Sequence, residues 1–261
     1  MCTVTFLPLD DGGYLLGTNR DESPSRGEAR APDVRVTAGR RVLAPLDPDA
    51  GGTWIAADDL GRSLCILNGD GPPLASPPED PLSRGVLVLR LMETPAIDSV
   101  EGRLRATVGT GRLAVKPFKL LVAEPGVEGR SAQAHLLLWD GHAIERVEAH
   151  GPRMLVSSTF ETDAVTRHRR DDFLAWRERH AEARGPQLVG ALTAWHASHR
   201  AERPAGDAYS VCMHRDDARS VSFTLVRVGS ESVSMGYRAG SPCVDGPMVD
   251  ARLARRSGVR I

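Results

Sequence analysis

At 261 residues, 41% apolar and 26% charged, the chain has the make-up of an ordinary globule near the upper size one core organises, so a single domain over 1–261 is expected. A formal net charge of −1 and a pI near 6.7 remove the general electrostatic case for nucleic acid or an anionic membrane and leave small, uncharged or amphipathic partners. No apolar run approaches the ~20 residues of a membrane span, and the amino end lacks the basic region and long apolar stretch of a signal peptide, so a cytoplasmic protein is expected.

The first element is a hairpin. Cys2–Leu7 and Tyr14–Asn19 read as β-branched and aromatic strands around Asp11-Gly12, a dipeptide suited to a two-residue turn. A turn centred there pairs residues whose numbers sum to 23, which sets Cys2 opposite Asp21, and directly opposed Cβ atoms lie roughly 4.5–5.5 Å apart. Removal of Met1 would give Cys2 a thiol and a free α-amino group. Their ordinary pKa values, about 8.5 and about 7.7–8.0, let the amine take the thiol proton close to neutral pH, so the nucleophile carries its own base. Asp21 is then placed to hold the amine.

Ser23 to Pro32 reads as a loop, and strands follow at 41–45, 53–57 and 63–68, the last ending at Asn68. Gly69 to Pro81 carries five prolines and reads as a loop over the mouth of a site. Helical spacing over Leu82–Glu93 and Ile97–Ala106 predicts one helical layer. Strands at 118–123, 134–139, 142–147 and 153–157 come next, with Asp140-Gly141 as a second hairpin dipeptide. Thr162–Ala183, with Val165, Phe173 and Trp176 as core contacts, and Gln187–Arg200 predict a second pair of helices. Strands at 209–214, 221–228 and 232–237 precede a polar tail. Strands and helix pairs in this alternation predict an α+β fold, a four-layer α-β-β-α sandwich of two antiparallel sheets between helical layers, with an ordinary two-layer domain as the alternative.

Met1-Cys2, the block Asn19-Arg20-Asp21-Glu22 after a strand, Gly51-Gly52-Thr53-Trp54 and a strand ending at Asn68 together resemble the NRDE family, which includes transport and Golgi organisation protein 2. That family is similar to the cysteine N-terminal-nucleophile hydrolases, such as penicillin V acylase and conjugated bile salt hydrolase. The resemblance implies the same four-layer fold and cleavage of a linear amide C–N bond, or acyl transfer, through an acyl-Cys2 intermediate, with no cofactor. By position it implies Cys2 as nucleophile, Asp21 as the carboxylate holding its amine, and Asn68 as a donor to the oxyanion, a contribution of about 2.7–4 kcal/mol. Arg20 and Arg219 match arginines near the thiol, and Asn19, Trp54 and Ser158 are candidate substrate contacts. Two departures stand out. Thr18 occupies the place of an arginine in the acylase branch, with Arg20 on the face opposite Asp21 by strand alternation. Ser158 stands where an asparagine is usual, and offers a shorter donor. The family also suggests a rival of another class, a non-enzymatic carrier of haem or an acyl or lipid ligand.

Other groupings have plainer readings. Cys2, Cys65, Cys212 and Cys243 form no C-x-x-C pair, so neither a zinc site nor a disulfide framework is expected. His196 and His199 read as a solvated helix face. The run Arg167-His168-Arg169-Arg170-Asp171-Asp172 reads as surface ion pairs at i, i+4 spacing. Gly51-Gly52 lacks the Lys-Ser/Thr of a phosphate loop and marks a close backbone approach or a bend at the entry to a strand.

Overall fold

Described by a computed structural model are residues 2–69, 82–94, 97–108, 115–126 and 129–256. Strands β1 (Cys2–Pro8), β2 (Tyr14–Glu22), β3 (Arg30–Thr37), β4 (Arg40–Leu46), β5 (Ile55–Asp58) and β6 (Ser63–Asn68) come first, then helices α1 (Arg84–Met92) and α2 (Ile97–Val108). Next are β7 (Phe118–Glu124), β8 (Gln133–Trp139), β9 (Ile144–Ala149) and β10 (Arg153–Ser157), helices α3 (Thr162–Arg179) and α4 (Gly185–His196), and strands β11 (Arg219–Val228), β12 (Ser232–Ala239) and β13 (Val249–Ala254). They form a six-stranded sheet in the order β10-β1-β2-β11-β12-β13 and a seven-stranded meander from β3 to β9.

Strand periodicity makes the layers. Along β1, Val4 and Phe6 join Tyr14 and Leu16 of β2 in a core shared with the other sheet, through Ile55, Cys65, Leu67 and Leu121. Leu7 and Leu15, one residue out of phase, pack instead against Phe173, Trp176, Leu192 and Trp195 of α3 and α4. The outer face of the second sheet is covered by Leu87, Val88 and Leu91 of α1 and Val100 and Leu104 of α2. Each such side chain contributes roughly 1.5–3 kcal/mol when fully buried. The predicted sandwich of two sheets between two helical layers is therefore the observed one.

The first hairpin differs from its predicted register by one residue. Its loop runs from Leu9 to Gly13, closed by Leu9 N–H to the Gly13 carbonyl at 2.9 Å, with Gly12 in the left-handed region at φ 77°. Five loop residues pair Thr3 with Asn19 and Cys2 with Arg20, not with Asp21. Because side chains alternate along a strand, the one-residue slip exchanges the faces of the whole block.

Other differences lie where polarity masks an element. Both β3 and β13 are edge strands with few buried residues, so no alternating apolar signal marks them. The strand predicted over 209–214 is irregular, because the Asp207 carboxylate accepts from the N–H groups of Tyr209 (2.9 Å) and Ser210 (3.0 Å) and turns the backbone. His196 is fully buried rather than solvated. Its ring accepts from Thr5 Oγ1 at 2.8 Å and donates Nδ1–H to Asn19 Oδ1 at 3.1 Å, and burial pushes its pKa down to about 3. A Cβ on Gly17 would lie 2.8 Å from that ring, which accounts for the glycine there.

Candidate active site

Cys2 opens β1 between Ser157 of β10 and Arg20 of β2. Its side chain faces the space between the sheets, packed against their shared core. Burial raises the thiol pKa, and the carboxylates of Asp21 and Glu22 act in the same direction; the backbone N–H of Asp21 donates to the sulfur and opposes them. The resting group is accordingly a protonated thiol that needs a base.

The thiol lies in a cleft of about 320 Å³ where the two sheets meet. Arg20, Glu22, Thr53, Trp54 and Asn68 line it, along with the amino end of α1 at Ser83–Gly85. Asn68 is the exposed last residue of β6, held by the pairing of that strand with Phe118 of β7. Arg20 is 4% exposed; its Nη2 donates to Asp47 Oδ2 at 2.9 Å and its guanidinium lies 4.9 Å from the Trp54 ring centroid. Arg26 donates to the same Asp47 oxygen at 2.6 Å. Burial works against the Asp47 carboxylate, but the Arg26 hydrogen bond and the Arg20 charge outweigh it and hold its carboxyl below the usual range. The second of the paired glycines before Thr53 has its reason here: a Cβ on Gly52 would fall 2.3 Å from the backbone carbon of Gly85.

Asp21 occupies the opposite face of β2, 1% exposed. Ser220 Oγ donates to its Oδ1 at 2.6 Å. Burial pushes its carboxyl up, and the charge of Arg169 resists this. Arg169 is itself 1% exposed. Its Nη1 donates to Thr3 Oγ1 at 2.5 Å and its Nη2 to the Ala208 carbonyl at 2.9 Å. Arg169 thus belongs to the buried side of α3 and not to the surface ion pairs expected of its charge run. The signal was present in the spacing, since Val165, Arg169, Phe173 and Trp176 form one buried stripe of α3.

Three candidates lie outside the cleft. Asn19 is fully buried and donates to the carbonyls of His196 (2.8 Å) and Val211 (2.9 Å), so its amide fastens β2 to the outer helical layer. Arg219 pairs with Glu22 at the start of β11 and lines an adjoining depression with Ser220 and Tyr237. The Ser158 hydroxyl donates to the Phe160 carbonyl at 2.7 Å and shapes the turn into α3. The expected lid from Gly69 to Pro81 lies, from residue 70 on, outside the described residues, as does Met1. The cleft contacts that sequence reasoning missed, Asp47, Arg26 and Arg84, sit in loops or at a helix start and carry no periodic signal.

The sequence model of a family described as Transport and Golgi organisation 2 matches residues 1–230. The chain belongs to that family. The kinship read from Cys2, the Asn19–Glu22 block and Asn68 is thus borne out at family level. No curated protein matches the chain. Among solved structures, a Caenorhabditis elegans N-acylethanolamine-hydrolyzing acid amidase (NAAA) ortholog is similar at TM-score 0.55 and 9% identity, over 86% of this chain and 92% of the other. Two variants of the conjugated bile acid hydrolase from Clostridium perfringens reach TM-scores of 0.48 and 0.49 at 12% identity, over 99–100% of this chain and 99% of each of theirs. At such identities the amidase likeness concerns the fold, that of the N-terminal-nucleophile hydrolases. Among the described residues no helix is long and apolar enough to cross a membrane.

Proposed function

We propose that this family member is an N-terminal cysteine hydrolase acting on a linear amide or related acyl compound. The observation that carries the reading is that Cys2, Arg20 and Asn68 line one cleft while Asp21, next to Arg20, lies buried under the same strand ends. Loss of Met1 frees the α-amine, which takes the thiol proton. The thiolate attacks the carbonyl carbon, and the oxyanion accepts from the Asn68 side chain. As the C–N bond breaks, the leaving amine receives the proton held by the terminal amine, and water then hydrolyses the thioester. Asp21 holds the terminal ammonium, fixed in turn by Ser220 and Arg169.

The cleft indicates substrate charge. Among its described lining residues Arg20, Arg26, Arg84 and Lys116 face two carboxylates, Glu22 and Asp47, an excess that favours an acyl compound bearing an anionic group.

The test is acylation of the processed protein by thiol-directed acyl probes, followed by intact mass and peptide mapping. Label on Cys2 that disappears in a folded Cys2→Ala variant is the expected result. Labelling that persists at the amino terminus of that variant refutes the mechanism. Saturable Soret changes on haem titration with Cys2 blocked, and no acyl-enzyme, would favour the carrier instead.

A further inference from the structure

Far from one another in sequence, His199, Cys212, His214 and Cys243 converge: one ligand atom from each lies within 4.8 Å of the others. His199 follows the end of α4, Cys212-Met213-His214 forms the irregular stretch before β11, and Cys243 follows β12. We infer that these four side chains form a His2Cys2 site for Zn2+ or a similar divalent transition metal, distinct from the Cys2 cleft.

Two of the separations are already close to those around a bound ion. Around tetrahedral zinc, with Zn–S about 2.3 Å and Zn–N about 2.0–2.1 Å, ligand atoms are separated by roughly 3.3–3.8 Å. His214 Nε2 lies 3.5 Å from Cys212 Sγ and 3.2 Å from Cys243 Sγ. The His199 ring centroid is 5.1 Å from that of His214, with the rings nearly perpendicular at 84°, so neither ring stacks across the space between them.

An independent observation comes from the His199 tautomer. Its Nδ1 is 2.6 Å from the Pro204 carbonyl. A carbonyl only accepts, so Nδ1 carries the proton and Nε2 of the neutral ring holds a bare lone pair. That Nε2 is buried and has no hydrogen-bond partner. Outer carbonyls commonly orient metal-bound histidines in this way. Two imidazoles with two thiolates suit zinc better than oxygen-seeking Mg2+ or Ca2+. Binding forms two metal–sulfur bonds and releases the two thiol protons to solvent.

The consequence reaches the active site. Met213 N–H donates to Ser220 Oγ at 2.9 Å, and that hydroxyl donates to Asp21 Oδ1 at 2.6 Å. The ion would fasten the stretch that holds Ser220, and through it Asp21, to the turn after β12.

Reduced, metal-free full-length protein should take up one Co2+ with the intense visible bands of tetrahedral coordination and thiolate-to-cobalt charge transfer, and Zn2+ should displace it. Cys243→Ser, at an exposed position, and His199→Gln should each weaken Zn2+ binding by more than the roughly 10–100-fold that loss of an outer hydrogen bond costs. Cys2→Ala should leave the spectrum unchanged, and Zn2+ should raise the Tm of wild type but not of Cys243→Ser. A cobalt spectrum without charge transfer, equal Zn2+ affinity in Cys243→Ser and wild type, or a Cys212–Cys243 disulfide in protein kept with excess Zn2+ and no added oxidant would overturn the assignment.

Discussion

The two faces of β2 divide one four-residue motif between different tasks. Arg20 and Glu22 line the cleft with Cys2, whereas Asn19 and Asp21 lie on the other face of the strand, Asn19 fastened to the helical layer and Asp21 held by Ser220 and Arg169. On the cleft face Arg20 and Glu22 border open space beside the thiol, Arg20 held by Asp47. On the helix face every polar group is buried, so each must be matched by a partner or be destabilising. The block therefore divides into a half that lines the cleft and a half that supports the fold.

Substitutions on the two faces should separate these roles, and the largest effect is expected from Asp21→Asn. Loss of the carboxylate proposed to hold the amine should slow acyl labelling of Cys2 by about 10²–10⁴-fold, the span of acid–base assistance. Stability at neutral pH should fall less than labelling does, because the amide oxygen still accepts from Ser220 and burial already pushes this carboxyl up, so that only the counter-charge of Arg169 is lost. Stopped-flow labelling beside urea unfolding checks both halves. A variant that loses stability and labelling in parallel would show Asp21 to be merely structural.

Arg169→Met should behave in the opposite way. Its removal strips donors from Thr3, Ala208 and Tyr209 and the cation from beside Asp21, and breaking a buried charge arrangement from one side costs about 3–5 kcal/mol. Urea unfolding measures this directly.

Asn19→Ala should cost less, about 1–3 kcal/mol for buried acceptors left unmatched, and should leave the labelling rate of the folded protein close to wild type. A large drop in labelling at unchanged stability would return Asn19 to the substrate site.

The smallest effect is a pH dependence on the cleft face. The Asp47 carboxyl is held below its ordinary value, so its contribution is complete above the unfolded pKa of about 3.9 and fades as pH falls through the lower folded value. Acid unfolding of Asp47→Asn should lack that limb, while the two proteins run parallel above pH about 5.

How much was legible beforehand follows the same division. Apolar, β-branched and aromatic runs in β1, β2 and β6, and helical spacing in α1 and α3, were readable because apolar faces must be covered. The edge strands β3 and β13 were not, since their exposed faces carry no such pattern. The hairpin register failed on a single residue: Asp11-Gly12 suits a two-residue turn, yet Gly13 joins the loop and closes it through its carbonyl to Leu9 N–H. Arg169 was lost in a run of charges, although its spacing from Val165 and Phe173 already marked the buried stripe.

By itself the sequence determined the family and the layers and singled out Cys2 as the candidate nucleophile, because hydrophobic periodicity and a cysteine beginning a strand are local properties of the chain. Only the tertiary structure decided that Arg20 rather than Asp21 stands across from Cys2, that Arg169 lies under Asp21, and that His199, Cys212, His214 and Cys243 meet. Those outcomes depend on loop closure and on contacts between distant segments, where one residue of slip reverses a face and no sequence spacing records which side chains converge.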